Sequence, residues 1–383
     1  MNISLSITNP RTYRIAVSAF FFLAGITFAS WASRIPHIKE HLHLSDGALG
    51  TILLALPIGL MTGLPLAGWA VTKYGSKATL TLSTIMYPLI LVSLGLTNEV
   101  WQLALGLFFF GLLGNLMNIS VNTQAVSVES AYGRTIMASF HGMWSLAGFA
   151  GAGIGTLMVS AGMSPLTHFI IIAALMMLIV LVGHRYAVPK DPPHNGKQTL
   201  FAKPDKTILK FGIIAFACMA CEGTMFDWSG VYFKTVVLAP ESKTTIGYVA
   251  FMCTMAAGRF TTDRLINRFG VKPMLRLSGI LITVGLLVSI IFPYLIPATI
   301  GFLLVGFGVS SVVPTVYGLA GRSKTMSPGI ALAAVSSISF FGFLLGPPII
   351  GFIAEASSLR WSFALVSCLG LVTAFMAGKI KTD

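Results

Sequence analysis

Long uncharged stretches divide the sequence and predict helices that cross a lipid bilayer. The hydrocarbon core of a bilayer is about 30 Å thick, so a helix needs roughly 20 apolar residues to span it. Two of the stretches, 135–184 and 277–321, are long enough for two spans each, with short turns at Ser164-Pro165 and Phe292-Pro293. The segments that lack Asp, Glu, Lys and Arg are 15–33, 47–72, 78–98, 100–128, 135–184, 277–321, 325–354 and 361–378.

This pattern predicts an all-α membrane protein with twelve transmembrane helices. An even number of spans places both termini on the same side of the membrane. The predicted spans are 14–36, 46–72, 78–97, 101–129, 135–162, 165–185, 208–233, 244–267, 273–292, 295–321, 328–354 and 360–379.

The charge composition supports this prediction and orients the chain. Charged residues make up only 10% of the 383 residues, against roughly 25% in an average soluble domain, so most of the surface must face lipid. The formal net charge is +13. When the 25 lysines and arginines are assigned to alternate sides, twenty of them, including Arg259, fall on the side of the termini. The positive-inside rule makes that side cytoplasmic, which explains the positive charge without nucleic acid.

The chain divides into two predicted six-helix bundles, 1–186 and 208–383. Between them lies the polar segment 187–207, which is rich in proline and lysine and is typical of a cytoplasmic linker. A shift of 195 residues aligns Gly63–Lys77 with Gly258–Lys272, and Gly75 then meets Gly270. Because the same offset also aligns two glycines of the fifth and eleventh spans, it indicates a duplicated six-span unit.

The two aligned loops resemble the signature loop of the major facilitator superfamily, roughly G-x-x-x-D-R-x-G-R-K. The first copy carries Thr72 where the usual aspartate stands, and the second keeps Asp263 one place out of register. The resemblance implies that an acid paired with basic side chains latches one bundle against the other as access alternates. The residues expected to take part in gating are Lys73, Gly75, Lys77, Glu129, Arg134, Asp263, Arg264, Arg268 and Gly270.

A narrower resemblance, to the YbjJ branch of this superfamily, covers nearly the whole chain. It is carried by segments 29–36, 121–129, 139–145, 222–229 and 342–351. That branch is similar to fucose:proton symporters. The resemblance implies a multi-pass protein of the bacterial inner membrane that acts as a monomer on a small-molecule substrate and protons, without a cofactor.

Polar residues at helical spacing predict two stripes that face a central cavity. In the fourth span Asn115, Asn118, Asn122 and Glu129 lie within about 60° of one another on a helix. In the first span the stripe consists of Thr27, Ser30 and Arg34. For Ser and Thr, interhelical hydrogen bonding is the favoured alternative. The asparagines and Arg34 are candidate substrate ligands.

The seventh span carries two acids, Glu222 and Asp227, which lie about 140° apart around the helix. A charge within the bilayer costs on the order of 2.5–3.5 kcal/mol, so an intramembrane acid indicates function. Burial favours the neutral form of a carboxyl group, which can then take and release a proton as its access to water alternates. We expect Glu222 to couple proton movement and Asp227 to be its partner or a gate residue. The alternative is a structural pair between Asp227 and a basic residue such as Lys234 or Arg34.

Further candidate substrate ligands are aromatic or titratable. His141 and Trp144 share a face near the cytoplasmic end of the fifth span, and His141 can titrate near neutral pH. Trp31 and Trp228 lie near the outer interface, where they serve either as membrane anchors or as a stacking platform for a sugar-like ring.

The sequence therefore predicts a secondary transporter of a small polar, sugar-like metabolite, with proton symport favoured. A proton-driven exporter of amphipathic compounds and a membrane sensor or scaffold without transport activity are the alternatives. The sequence contains no phosphate-binding loop, metal-ligand cluster or catalytic triad, so neither an enzyme nor a metal or other cofactor is expected.

Overall fold

The chain folds into long helices joined by short connections. The computed structural model describes residues 10–132, 136–189, 205–320, 323 and 328–380. No strand occurs in these ranges. The helices are α1 (Pro10–His41), α2 (Asp46–Leu53), α3 (Ala55–Tyr74), α4 (Ser76–Leu94), α5 (Val100–Tyr132), α6 (Met137–Ser160), α7 (Pro165–Gly183), α8 (Lys206–Thr235), α9 (Ile246–Phe269), α10 (Val271–Ile291), α11 (Leu295–Ala320), α12 (Pro328–Ala356) and α13 (Leu359–Gly378).

The helices account for the predicted spans, with one interruption. The second predicted span is observed as α2 and α3, which are separated at Leu54. Pro57 is the physical reason, because it has no N–H to donate to the carbonyl of Leu53 one turn earlier. Over the described ranges, eleven segments are long and apolar enough to cross a membrane, and Asp46–Tyr74 counts as one of them. The remaining predicted span is α9, whose second half contains several charged residues, among them Arg259 and Arg264.

The described helices form two compact units. Among the described residues, the first contains those up to 42 and those from 55 to 189, and the second contains 43–54 and those from 205 onward. Within the first unit α1 packs on α6, α3 and α4 pack on α5, and α4 packs on α7. Within the second, α8 packs on α12, α9 and α10 pack on α11, and α10 packs on α13. Helices in equivalent positions of the predicted repeat therefore make equivalent contacts.

Helix α2 belongs to the second unit because it packs against α12. Gly50 and Gly351 allow the two backbones to meet: a Cβ built on Gly50 would lie 2.9 Å from the Cα of Gly351. Glu355 accepts a hydrogen bond from the backbone N–H of Gly47 at 2.9 Å. A carboxylate at this position satisfies one of the free N–H groups at the start of α2 and complements the helix dipole.

The two signature loops have the same backbone conformation. Gly75 has φ 84° and ψ 158°, and Gly270 has φ 85° and ψ 159°. Each glycine donates its N–H to the residue four positions earlier, with distances of 2.9 Å to Val71 O and 2.7 Å to Ile266 O. Only glycine adopts this region of φ and ψ without strain. The two halves of the duplication inferred from the sequence thus share the same φ and ψ at the glycine of this loop.

We predict that Gly75→Ala and Gly270→Ala each lower the free energy of unfolding by about 1–3 kcal/mol, since a Cβ is strained at this φ and ψ. The cost comes from the backbone rather than from crowding, because a Cβ on Gly270 would meet only Pro273 Cδ, at 3.7 Å. The midpoint of thermal unfolding in detergent measures the effect.

The matched controls are Gly68→Ala in the first unit and Gly318→Ala in the second. Both positions are helical, and a Cβ built on either glycine would have no other atom within 4 Å. Alanine is therefore expected to raise the free energy of unfolding by up to about 1 kcal/mol. Equal effects of all four substitutions would contradict the assignment of strain to the loops.

Candidate functional site

A buried ion pair joins α8 to α9 in the second unit. Arg259 Nη2 lies 3.2 Å from Glu222 Oε1, and the relative exposures of the two side chains are 20% and 8%. Glu222 is the seventeenth of the 30 residues of α8, near its middle. Arg259 lies ten residues before the end of α9, or about 15 Å along the helix axis. Both partners therefore lie well inside long helices.

Arg259 is the partner that the sequence prediction did not provide. The charge pattern counts it only among the basic residues on the cytoplasmic side, and the structure pairs it with Glu222 within α9. A buried ion pair is stable only when geometry and further hydrogen bonds offset the loss of hydration. Removing either partner would leave the other charge uncompensated in a largely apolar setting.

Asp227 is buried, with 6% relative exposure. Its pairing with a basic residue such as Lys234 or Arg34 remains an alternative. The preceding residue, Phe226, packs edge to face on Phe251 of α9 at a ring separation of 5.8 Å. Asp227 thus directly follows an aromatic residue that packs against α9.

The polar stripe of α5 contains both a buried residue that is bonded to another helix and residues that are accessible. Asn115 is buried and donates its side-chain N–H to the carbonyl of Leu60 in α3, and its role as a substrate ligand remains a prediction. Asn118 is exposed, and Asn122 donates to its Oδ1 at 2.9 Å and to its backbone carbonyl at 2.8 Å. This pair presents amide groups in the middle of a membrane helix.

Glu129, at the far end of the same stripe, caps α6. Its Oε2 accepts hydrogen bonds from the backbone N–H groups of Ile136 and Met137, each at 2.7 Å. Four N–H groups at the start of a helix lack intrahelical partners, and a carboxylate there also favours the helix dipole. The gating role expected for Glu129 remains a prediction. Arg134, its expected neighbour in that role, lies outside the described residues.

Sequence reasoning missed Gln124, which is fully buried on α5. Its Nε2 donates to Ser76 Oγ and to the carbonyl of Val188 at 3.0 Å, and its Oε1 accepts from the N–H of Val188 at 2.6 Å. These bonds hold the segment after α7 against α4 and α5. Its spacing from Asn122 and Glu129 did not match the asparagine stripe, so the pattern contained no signal for it.

The stripe of α1, which consists of Thr27, Ser30 and Arg34, is buried. Thr27 donates to the carbonyl of Leu23 and Ser30 to that of Ile26, each at 2.8 Å, so their own helix satisfies both hydroxyls. These bonds lie within α1, whereas the alternative considered for the two residues was hydrogen bonding between helices, and their role as substrate ligands remains a prediction.

Arg34 is fully buried and bonded to a residue that the sequence prediction did not include. Its Nε donates to His168 Nδ1 in α7 at 3.1 Å. The bond requires the lone pair of Nδ1, so the imidazole proton must reside on Nε2. Arg34 Nη1 and Nη2 have no hydrogen-bond partner among the described residues. The histidine therefore provides the contact that holds this guanidinium inside the first unit.

The predicted aromatic ligands are distributed over both units. Trp31 in α1 and Trp228 in α8 are fully buried, so neither ring is open for stacking in this conformation. His141 is exposed and packs edge to face on Phe21 at 5.3 Å, and Trp144 lies beside Phe28 at 6.3 Å. His141 and Trp144 do share a face of α6 next to α1, as the spacing predicted.

The basic residues of the signature loops pack against aromatic rings. Lys73 Nζ lies 5.0 Å from the ring centre of Trp69 and 5.3 Å from that of Tyr74. Arg268 Cζ, at the equivalent position, lies 5.3 Å from the ring centre of Phe269. Cation–π contacts of this kind anchor the helix ends. The latch involving Lys77, Arg264 and Asp263 remains a prediction, and the side chain of Asp263 lies outside the described residues.

We predict that His168→Leu lowers the free energy of unfolding by about 1.5–3 kcal/mol, because it removes a hydrogen bond to a buried charged group. The double variant Arg34→Met/His168→Leu should recover most of that loss, since an apolar pair of similar volume leaves no charge unsatisfied. Thermal unfolding of the four proteins in this double-mutant cycle is the measurement. Strictly additive losses would show that the two side chains do not stabilise each other.

Comparison with known proteins assigns the family. The family model for the Major Facilitator Superfamily matches residues 15–325 and 242–381. An uncharacterized MFS-type transporter of Yersinia pestis is 34% identical over 365 residues, covering 95% of this chain and 94% of the relative. An uncharacterized transporter of Sinorhizobium fredii is 31% identical, covering 95% and 97%. The membrane protein MosC of Rhizobium meliloti is 30% identical, covering 96% and 90%.

Solved structures share the fold at low sequence identity. The nucleoside transporter NupG is 14% identical, with a TM-score of 0.76 and coverage of 96% of this chain and 98% of that one. A D-xylose-proton symporter is also 14% identical, with a TM-score of 0.77 and coverage of 97% and 98%. The predicted all-helical fold is thereby confirmed. The chain belongs to the major facilitator superfamily, whose members are membrane transporters rather than enzymes.

Proposed function

We propose that this chain is a secondary active transporter that moves a small polar, sugar-like metabolite by alternating access and is driven by protons. The observation that carries the proposal is the ion pair between Glu222 and Arg259 within α8 and α9. Charges within a bilayer are costly and mark ion and proton pathways. A sensor or scaffold would not need to retain such a pair, nor a second buried acid, Asp227, on the same helix.

The pair has the chemistry required for coupling. A proton that reaches Glu222 from water neutralises its carboxylate, which removes the attraction to Arg259. The guanidinium can then move toward another acceptor, and loss of the proton on the opposite side restores the pair. In this scheme Glu222 takes and releases the proton, and Asp227 is its partner on the same helix. Access of Glu222 to one side of the membrane at a time would convert the proton gradient into movement of substrate.

The amide pair on α5 supports a polar substrate. Asn118 and Asn122 present both donor and acceptor groups at a depth where apolar side chains are expected. Such groups suit the hydroxyls of a sugar-like solute. Proteins of this fold include a nucleoside transporter and a D-xylose-proton symporter, and we extend this general kind of cargo to the chain as part of the proposal.

The proposal also includes the similarity to the YbjJ branch and to fucose:proton symporters. Those symporters keep functional acids in their first and fourth spans. Here the corresponding helices α1 and α5 have no acidic residue near the middle of the membrane. Asn118 of α5 occupies a position like that of the acid in the fourth span of those symporters. We therefore assign coupling to α8. We further propose residence in the bacterial inner membrane as a monomer, with both termini in the cytoplasm and protons and a small molecule as the transported species.

We predict saturable uptake of a hydrophilic solute by proteoliposomes that contain the purified chain, accelerated when the outside is made acidic relative to the lumen. A radiolabelled screen of monosaccharides, polyols and nucleosides, with and without a protonophore, is the measurement. Glu222→Gln should reduce the pH-driven acceleration at least tenfold, because an amide cannot carry the proton.

Glu241→Gln is the matched control, since this acid is exposed between α8 and α9 and its charge should not affect coupling. Equal rates with and without the pH gradient would reject proton coupling. Flux of amphipathic compounds alone would favour the exporter, and the absence of flux for every solute would favour the scaffold.

A further inference from the structure

A cavity of about 670 Å³ opens in the first unit at the end where α1 begins. Four helices contribute to it: the start of α1, the end of α5 at Tyr132, the first turns of α6 at Met143 and the last turns of α7 at Ile179. These four helix ends lie on the same side of the predicted topology. The volume falls within the range of about 300–1,000 Å³ that is common for ligand pockets.

Positively charged groups lie at the mouth of this cavity. Arg11 and Arg14 line it from the first turns of α1, and no acidic residue is among the described residues that line it. Arg14 is held in place, because its Cζ lies 5.5 Å from the ring centre of Tyr132 and its Nη2 lies 3.4 Å from Ser139 Oγ. A guanidinium has five N–H donors, so these contacts leave donors available for an anion.

The rest of the lining is mostly apolar. Ile15, Phe22, Met143 and Ile179 contribute to it, together with the small residues Ser18 and Ala19. Phe22 lies eleven residues after Arg11 on the same face of α1, which corresponds to about 16 Å along the helix axis. The lining therefore changes from cationic to apolar along the direction that leads into the bilayer.

We propose that this cavity binds an anionic phospholipid, with the phosphate at Arg11 and Arg14 and the beginning of an acyl chain along Ile15 and Phe22. Charge complementarity and the gradient of polarity match both parts of such a lipid. Basic pockets between membrane helices recognise lipid head groups by this combination of features. Free phosphate would satisfy the arginines but would leave the apolar part of the cavity empty.

The test is the apparent affinity for phosphatidylglycerol, obtained by titrating it into the detergent-solubilised full chain and following thermal unfolding, with phosphatidylcholine and glycerol 3-phosphate as the comparison ligands. A ligand that binds the folded state raises the unfolding midpoint in a concentration-dependent manner. We expect phosphatidylglycerol alone to do so. Arg14→Gln should weaken its binding roughly fivefold and Arg11→Gln/Arg14→Gln roughly thirtyfold, as lipid-facing basic residues contribute near anionic surfaces.

The matched control is Lys206→Gln, because Lys206 begins α8 at the position 195 residues after Arg11 and does not line the cavity. A second variant, Ala19→Leu, keeps both arginines and fills the cavity, so it should also weaken binding even if the arginine variants fold poorly. Equal stabilisation by phosphatidylcholine, an equal effect of glycerol 3-phosphate, or unchanged binding in Ala19→Leu would overturn the proposal.

Discussion

Inside a bilayer, a polar group has no water to bond, and most of the structure follows from that constraint. Helices satisfy the backbone groups internally, which is why helices are one of the few structures that can span the hydrocarbon. Side chains follow the same rule: the hydroxyls of Thr27 and Ser30 donate to their own helix, and Tyr232 donates to the carbonyl of Ser289 at 2.9 Å. Polar groups inside the bilayer that are not satisfied in this way are therefore the candidates for function.

Close helix approach is the second consequence, since helices in lipid gain stability mainly from packing and interhelical hydrogen bonds. Small residues provide it in both units. A Cβ on Gly63 would come within 2.9 Å of the Leu112 carbonyl in α5, and one on Gly279 would come within 2.5 Å of the Gly370 carbonyl in α13. Seams of this kind hold the helices of each unit close together.

The fold could be predicted from the sequence because lipid imposes a length and an apolar composition on every span. The loops at Gly75 and Gly270 could be matched by a single offset, and their common φ and ψ give that match a physical meaning. The single interruption, at Leu54, was not foreseen because the residues around Pro57 are uniformly apolar. The pattern of apolar residues along the sequence does not show that the backbone at a proline lacks an N–H donor.

Side-chain partners across helices were harder to predict. Arg259 was counted with the cytoplasmic bases, because a charge near a predicted loop is ordinarily a topology signal, yet it pairs with Glu222. His168 follows a turn and showed no pattern that linked it to Arg34. Asn115 fits the stripe of α5 by spacing, but its amide reaches the carbonyl of Leu60. A one-dimensional pattern identifies a helix face without identifying the helix that the face contacts.

The central claim is that Glu222 couples proton movement to transport through its pair with Arg259. Exchange of labelled for unlabelled solute across a membrane requires only reorientation of the loaded carrier, whereas accumulation against a gradient also requires release of the proton. The most direct test is the ratio of exchange to pH-driven accumulation in proteoliposomes containing Glu222→Gln. The account predicts preserved exchange with accumulation lost, and accumulation at the rate of the unmodified chain would contradict it.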